Sequence, residues 1–183
     1  MTLSITIDPA QLADLLPPAR EFAEAAAVAV LDKVKAHLVA RNDATAPKRG
    51  FPKSNYWGKA ARSAVVEPGS GATVTVAIPQ EGVALHYYGG TVLPKKKALA
   101  IPIDPSVADI WPSEANALTD HIELMWPKNS EHGFLKDAET GELLWLLVPK
   151  ATIPADRSVL PDDDALGAAA ASGVWELLGK DAA

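Results

Sequence analysis

Apolar positions recur with a helical period along AREFAEAAAVAVLDKVKAHLVAR, where Phe22, Ala26, Val30, Val34 and Leu38 stand four residues apart and Val28 and Leu31 widen the stripe. Glu21, Glu24, Asp32, Lys33 and Lys35 fall mostly elsewhere on the wheel, so the spacing predicts an amphipathic helix from Pro18 to about Arg41. The helix interior has neither Gly nor Pro, and its many alanines would let another element approach closely. Upstream, Asp8 as N-cap and Pro9 at the first helical position predict a short helical stretch over DPAQLADLL, closed by Pro17 and Pro18.

Further on the period shortens to two. Val65 and Val66, a Pro-Gly-Ser-Gly turn, and the alternation of Thr73, Thr75 and Ala77 with Val74, Val76 and Ile78 predict a hairpin with one apolar face. EGVALHYYGG reads as a helical turn ended by glycine, with a strand entering a tight turn as the alternative. KALAIPI predicts a strand, PSEANALTDHIELMW a helix from Ser113 that Pro127 ends, and HGFLKDAETGELLWLLVPK a second hairpin around Glu139–Glu142. The second arm of that hairpin, LLWLLVP, is apolar on both faces and belongs in the middle of a sheet. PDDDALGAAAASGVWELLGK predicts a closing helix with three aspartates at its positive end. Prolines and glycines break NDATAPKRGFPKSNYWGK into an irregular connection. The expected fold is α+β: a long N-terminal amphipathic helix and a C-terminal helix packed on a mostly antiparallel sheet of about five strands. The expected organisation is a single domain over 1–183, with 1–17 a short N-terminal segment and 42–62 a long loop.

Composition narrows the class. The 183 residues are 48% hydrophobic and 22% charged, ordinary for a globular chain that buries a core. No apolar run reaches the roughly 18 residues a membrane helix needs, and MTLSITIDPAQ lacks the basic start and apolar middle of a signal peptide. There is no cysteine, hence neither disulfide nor thiolate chemistry, which fits cytoplasmic synthesis. The net charge of −6 conceals a division along the chain. Residues 1–44 carry −2, residues 45–103 carry +6 from eight basic and two acidic side chains, and residues 104–183 carry −10. Such asymmetry suits a polyanion or charge-complementary contacts between copies.

Chemistry-bearing motifs are sparse. His37, His86, His121 and His132 form no close pair and no metal-ligand spacing. Asp162, Asp163 and Asp164 at a helix start read as capping and dipole residues rather than a cation site. Gly69-Ser70-Gly71 lacks the lysine of a phosphate loop, and no nucleophile elbow is present. No cofactor is expected. Lys95, Lys96 and Lys97 follow a proline and lead into a strand, so no helix N-terminus joins them in holding an anion. They either blunt an exposed edge or, with Lys48, Arg49, Lys53, Tyr56 and Trp57, form the basic and aromatic lining of a single-stranded nucleic-acid groove. A hydrolase with dispersed Ser, His and Asp is a third reading, and it requires a pocket that gathers them.

Three segments together resemble the virion-morphogenesis or tail-completion family of Mu-like and related tailed phages. They are His86-x-x-Gly89-Gly90, the stretch Lys97-Ala98-Leu99-Ala100-Ile101-Pro102, and Lys150 with Ile153-Pro154-Ala155. After Ala155 the family usually continues with Arg-Pro and an aromatic, where this chain has Asp156, Arg157, Ser158 and Val159. The resemblance implies a structural virion protein, not an enzyme, made in the host cytoplasm and located at the neck or tail. It implies a homo-oligomeric ring of six copies that touches neck or connector proteins and tail-terminator or tail-tube proteins, with at most loose contact to passing DNA and none to a membrane. On that expectation Gly89 and Gly90 form a structural turn, while Lys95–Lys97, the residues around Tyr56 and Trp57, and Asp162–Asp164 serve as contact surfaces.

Overall fold

Helix α1, Ala19–Ala44, follows the 3.6-residue stripe, burying Ala27, Val34 and Leu38. The computed structural model describes residues 17–48, 50–114 and 121–180, so the short helical stretch expected over DPAQLADLL and residue Arg49 lie outside the described residues. Pro18 sits just before α1, its carbonyl accepting from the N–H groups of Glu21 and Phe22. Val28, expected on the buried stripe, is 52% exposed instead. It stands 100° from Ala27 on the wheel, and the buried face is centred on Ala27, Val34 and Leu38.

The structure is α+β, and the strand pairs among its described residues are antiparallel. Its described residues divide into two compact units. The first draws on the chain up to Ala40, on Trp57–Gln80 and on the chain from Leu160 onward. It holds most of α1, a short helix α2 (Tyr56–Ser63), the hairpin β1 (Val65–Pro68) and β2 (Val74–Ala77), and the closing helix, Asp163–Lys180. The two long helices approach closely: a Cβ placed on Gly173 would stand 2.5 Å from the Ala25 carbonyl oxygen and 2.8 Å from the Ala29 Cβ. The alanines of α1 and a glycine of the closing helix therefore serve as contact surface.

Helix α2 corrects the expectation of one loop over 42–62. α1 runs on to Ala44, and among the described residues of this stretch those between Thr45 and Asn55 are irregular. The segment YWGKAARSA carries its own helical signal, because Trp57, Ala60, Ala61 and Ala64 follow i, i+3, i+4, i+7 and all four are buried. The small size of alanine hides that stripe in a hydropathy reading.

The second unit comprises Arg41–Tyr56 and Glu81–Val159. It begins with the end of α1 and contains α3 (Val83–Tyr88), β3 (Gly90–Val92), β4 (Leu99–Pro102), β5 (Ile122–Met125), β6 (Gly133–Asp137), β7 (Leu143–Val148) and β8 (Ala151–Ile153). The closing helix of the first unit is α4. Strands β4-β7-β6-β5 form a four-stranded sheet in that order, while β3 pairs with β8 in a separate ribbon. One sheet of about five strands was expected, and among the described residues three antiparallel sheets form instead. Among the described residues β1 and β2 pair only with each other, and β3 is paired with β8 rather than with its neighbour in sequence. β7, apolar on both faces, is central as its composition requires. Trp145 on β7 is 1% exposed and packs with Val107 and Leu144, flanked by Ala100, Ile110, Ile122 and Leu135.

Of the helix expected from Ser113 and ended by Pro127, residues 115–120 lie outside the described residues, and the part after them is corrected. Ile122–Met125 is extended and pairs with β6, Ile122 opposite Asp137 and Met125 opposite Phe134. Cross-strand pairing outweighs local propensity where a hairpin supplies a ready edge.

Candidate assembly surface

Two of the three segments that carry the resemblance, His86–Gly90 and Ile153–Ala155, meet at the end of α3. Gly89 has φ 74° and ψ 171°, a conformation open in practice only to glycine. A Cβ there would also lie 2.7 Å from the backbone nitrogen of Ala155, so two separate demands fall on one residue. The turn lets β3 run antiparallel to β8, with Gly90 opposite Ile153 and Val92 opposite Ala151. The Asp156 N–H donates to the His86 carbonyl at 2.9 Å, closing the ribbon onto α3. His86, Gly89, Gly90, Ile153 and Ala155 are thus neighbours, though the chain separates them widely. Leu99–Pro102 pairs with β7 from Leu99 opposite Val148 to Pro102 opposite Trp145, and β7 leads through Lys150 into β8. Gly89 thus ends α3 and Gly90 opens β3.

A polar network braces the ribbon's end. Asp156 accepts from Arg41 Nη2 at 2.5 Å and from the Ser158 hydroxyl at 2.6 Å, and Arg41 Nη1 donates to the Ser158 carbonyl at 3.1 Å. The Ser158 hydroxyl first, and then Arg41, hold the Asp156 carboxyl below its ordinary pKa. Beside it the Arg157 guanidinium lies 4.4 Å from the Tyr87 ring centroid and 5.0 Å from that of Tyr88. The two rings meet edge to face at 4.9 Å. This Tyr–Tyr–Arg stack was not anticipated. The Tyr87-Tyr88 pair was visible in the sequence, but its cation comes from the far side of the ribbon.

The expected contact residues separate into different groups. Lys95, Lys96 and Lys97 form an exposed bend between β3 and β4. Lys48 is exposed in the connection after α1. Lys53 is engaged: its Nζ donates to the Asp43 carbonyl at 3.2 Å and lies 3.9 Å from the Asp43 carboxylate. This places a cation at the negative end of α1. Tyr56 is half-buried, donates its hydroxyl to the Glu81 carbonyl at 2.7 Å, and stands 5.5 Å from the His86 ring. Burial pushes its phenol pKa up. Trp57 is 8% exposed and belongs to the core of the first unit, which corrects its assignment to a contact surface. Its ring follows the buried stripe of α2, so no face is left for a partner. The Asp162 carboxylate accepts from the Ala165 N–H at 2.7 Å as the N-cap of α4, while Asp163 and Asp164 are exposed in the first turn.

Other chemical groups are dispersed. His121 Nε2 lies 3.1 Å from the Glu139 carboxylate, with both side chains more than half exposed. The Ser130 hydroxyl donates to the His132 carbonyl at 2.9 Å, meeting its backbone rather than its imidazole. Among the described residues no three His, Asp or Glu side chains gather as metal ligands, and no helix is long and apolar enough to cross a membrane. A shallow cavity of about 300 Å³ lies beside β4, lined chiefly by Ala100, Pro102, Ile110, Trp111 and Trp145, with Asp109 as its one charged side chain. In comparisons with protein families, characterised proteins and solved structures, the chain matches none.

Proposed function

We propose that this chain is a structural virion protein of a tailed phage, completing the tail or joining it to the head as a subunit of a ring at the neck. The observation that carries this reading is the meeting of Gly89 with Ala155 and of His86 with Asp156. Two of the three segments that resemble the tail-completion family, His86–Gly90 and Ile153–Ala155, are the two sides of one turn-and-ribbon, so their residue types answer to a shared backbone geometry, while Lys97–Pro102 leads into the four-stranded sheet beside β7. Gly89 is required by its dihedrals and by the approach of Ala155; Gly90 opens the strand opposite Ile153. Short motifs of common residues gain weight when the fold gives them a joint purpose.

The subunit acts by docking. Its surface carries an exposed lysine bend, an exposed aromatic stack and an acidic helix start, features suited to charge-directed contacts with copies and with neighbouring neck, tail-terminator or tail-tube proteins. Six copies per ring is the number that the resemblance implies. Passing DNA is touched loosely and without sequence preference, since a tight basic grip would oppose its movement. The nucleic-acid groove reading loses its aromatics: Trp57 is buried, and the Tyr56 hydroxyl is tied to Glu81. Virions assembled without the protein test the proposal by electron microscopy. Separate full heads and tails are expected, and joined infectious particles would refute it.

A further inference from the structure

The β3–β8 ribbon presents cations without matching acids. Val92 stands opposite Ala151, so Leu93 and Lys150 leave the same end of the ribbon, and Lys95–Lys97 follow. All four lysines are exposed. Arg157 lies at the opposite end, held over Tyr87 and Tyr88. At a rise of about 3.3 Å per residue, the strands between these groups span roughly 10 Å. Thr91 and Thr152 face each other across the middle, both exposed. The nearby Asp156 is already committed to Arg41 and Ser158. Lys95, Lys96, Lys97, Lys150 and Arg157 therefore concentrate positive charge, and none forms an ion pair among the described residues. Two large apolar groups frame them: Tyr88 is 67% exposed and Leu93 68%.

We propose that this ribbon is a docking surface for a second copy of the chain, and that it receives the Asp163–Asp164 start of α4 from that copy. The charges call for an acidic partner. The apolar frame, with an arginine and a tyrosine fixed by stacking, selects a protein over a bare polyanion, because tyrosine and arginine dominate the binding energy of protein interfaces. The chain itself contains that partner: residues 104–183 carry −10. Within them Asp163 and Asp164 are adjacent, exposed and in no ion pair among the described residues, while Asp162 beside them is occupied as the cap. Ribbon and helix start consist of different residues, so the contact pairs two unlike surfaces rather than one surface with itself, the condition for a head-to-tail ring. Closure of that ring rests on the assembly reading above, whereas the pairwise contact does not.

Light scattering on the purified full chain, over a range of concentration and salt, tests the proposal. Wild type should self-associate and dissociate as salt rises. The triple variant Lys95→Glu/Lys96→Glu/Lys97→Glu and the double variant Asp163→Lys/Asp164→Lys should each lose at least tenfold in association, with circular dichroism unchanged. Mixing the two variants should restore it, because each reversed patch then meets its reversed complement. If the lysine substitutions disturb the helix start, Asp163→Ser/Asp164→Ser removes the charge with little burden on α4 and should still weaken association. A wild type that stays monomeric overturns the proposal, as do variants that associate normally or a mixture that fails to recover. A monomer that binds duplex DNA through the lysine bend would make the ribbon a polyanion site and also overturn it. Normal association of both variants, with heads and tails still unjoined in virions lacking the protein, sinks this contact and leaves the assembly reading standing. Loss of association in each variant with recovery on mixing, while virions lacking the protein still join, keeps this contact and sinks the assembly reading.

Discussion

Replacing Gly89 by alanine isolates the geometry on which the ribbon depends. The substitution adds one methyl group and incurs two costs. At φ 74° and ψ 171° a residue with a Cβ is strained, by about 1–3 kcal/mol. The new Cβ would also stand 2.7 Å from the nitrogen and 3.1 Å from the Cα of Ala155. These are backbone atoms and cannot swing aside. Moving them pulls at the neighbouring hydrogen bond from the Asp156 N–H to the His86 carbonyl, and overpacking of this kind costs about 1–3 kcal/mol. A loss of roughly 2–6 kcal/mol is therefore expected. With a urea dependence of about 2 kcal/mol per molar, the midpoint falls by at least about 1 M. Gly141→Ala is the control. Gly141 has nearly the same φ, 73°, but nothing within 4 Å of its would-be Cβ, so backbone strain alone applies, about 1 kcal/mol. Urea unfolding followed by tryptophan fluorescence compares the two variants. Equal midpoints would show that the Ala155 contact contributes nothing and would refute the reasoning.

The helical glycines should respond in opposite directions. Gly173→Ala forces its Cβ against the Ala25 carbonyl and should destabilise by about 1–3 kcal/mol, while Gly167→Ala, with open space around it, should stabilise by about 0.5–1 kcal/mol through helix propensity; thermal unfolding separates them, and a stabilising Gly173→Ala would disprove the close helix contact. Stability should also fall on acidification. Asp156 has a folded pKa held low by the Ser158 hydroxyl and by Arg41, so its contribution is present above the ordinary carboxylate pKa and is lost as pH drops through the folded value. Asp156→Asn should therefore narrow the gap between urea midpoints at pH 7 and pH 3. It will not abolish the gap, because Asp104 and Asp137 are also held low, chiefly by the Ser106 hydroxyl and the Thr140 N–H respectively. An unchanged gap would show that the network does not favour the ionised carboxylate.

Local periodicity was enough to read α1, α3, α4, the β1–β2 hairpin, β4 and the β6–β7 hairpin. Each declares itself within a few residues of chain: α1 by apolar spacing, α3 by the glycine that ends it, and β6–β7 by the turn Glu139–Glu142. β7 even announced its central place, since only a strand covered on both faces can be apolar on both. Signals failed where the stripe was made of alanine, as in α2, or where a partner strand overrode propensity, as at Ile122–Met125. Of the candidate site, the lysine bend and the glycine turn were legible because exposure and positive φ leave marks in composition.

Burial of Trp57 and the stack of Arg157 on Tyr87 and Tyr88 left no such mark. Whether an aromatic is a core residue or a surface group depends on which distant segment covers it. Strand partnership is equally non-local, since β3 joins β8 across the whole four-stranded sheet in sequence. The chain's order of residues specifies its elements, because dihedral preference and apolar period act over one or two turns. Pairing, burial and charge juxtaposition arise only when the backbone returns on itself, for those energies belong to contacts between residues far apart along the chain.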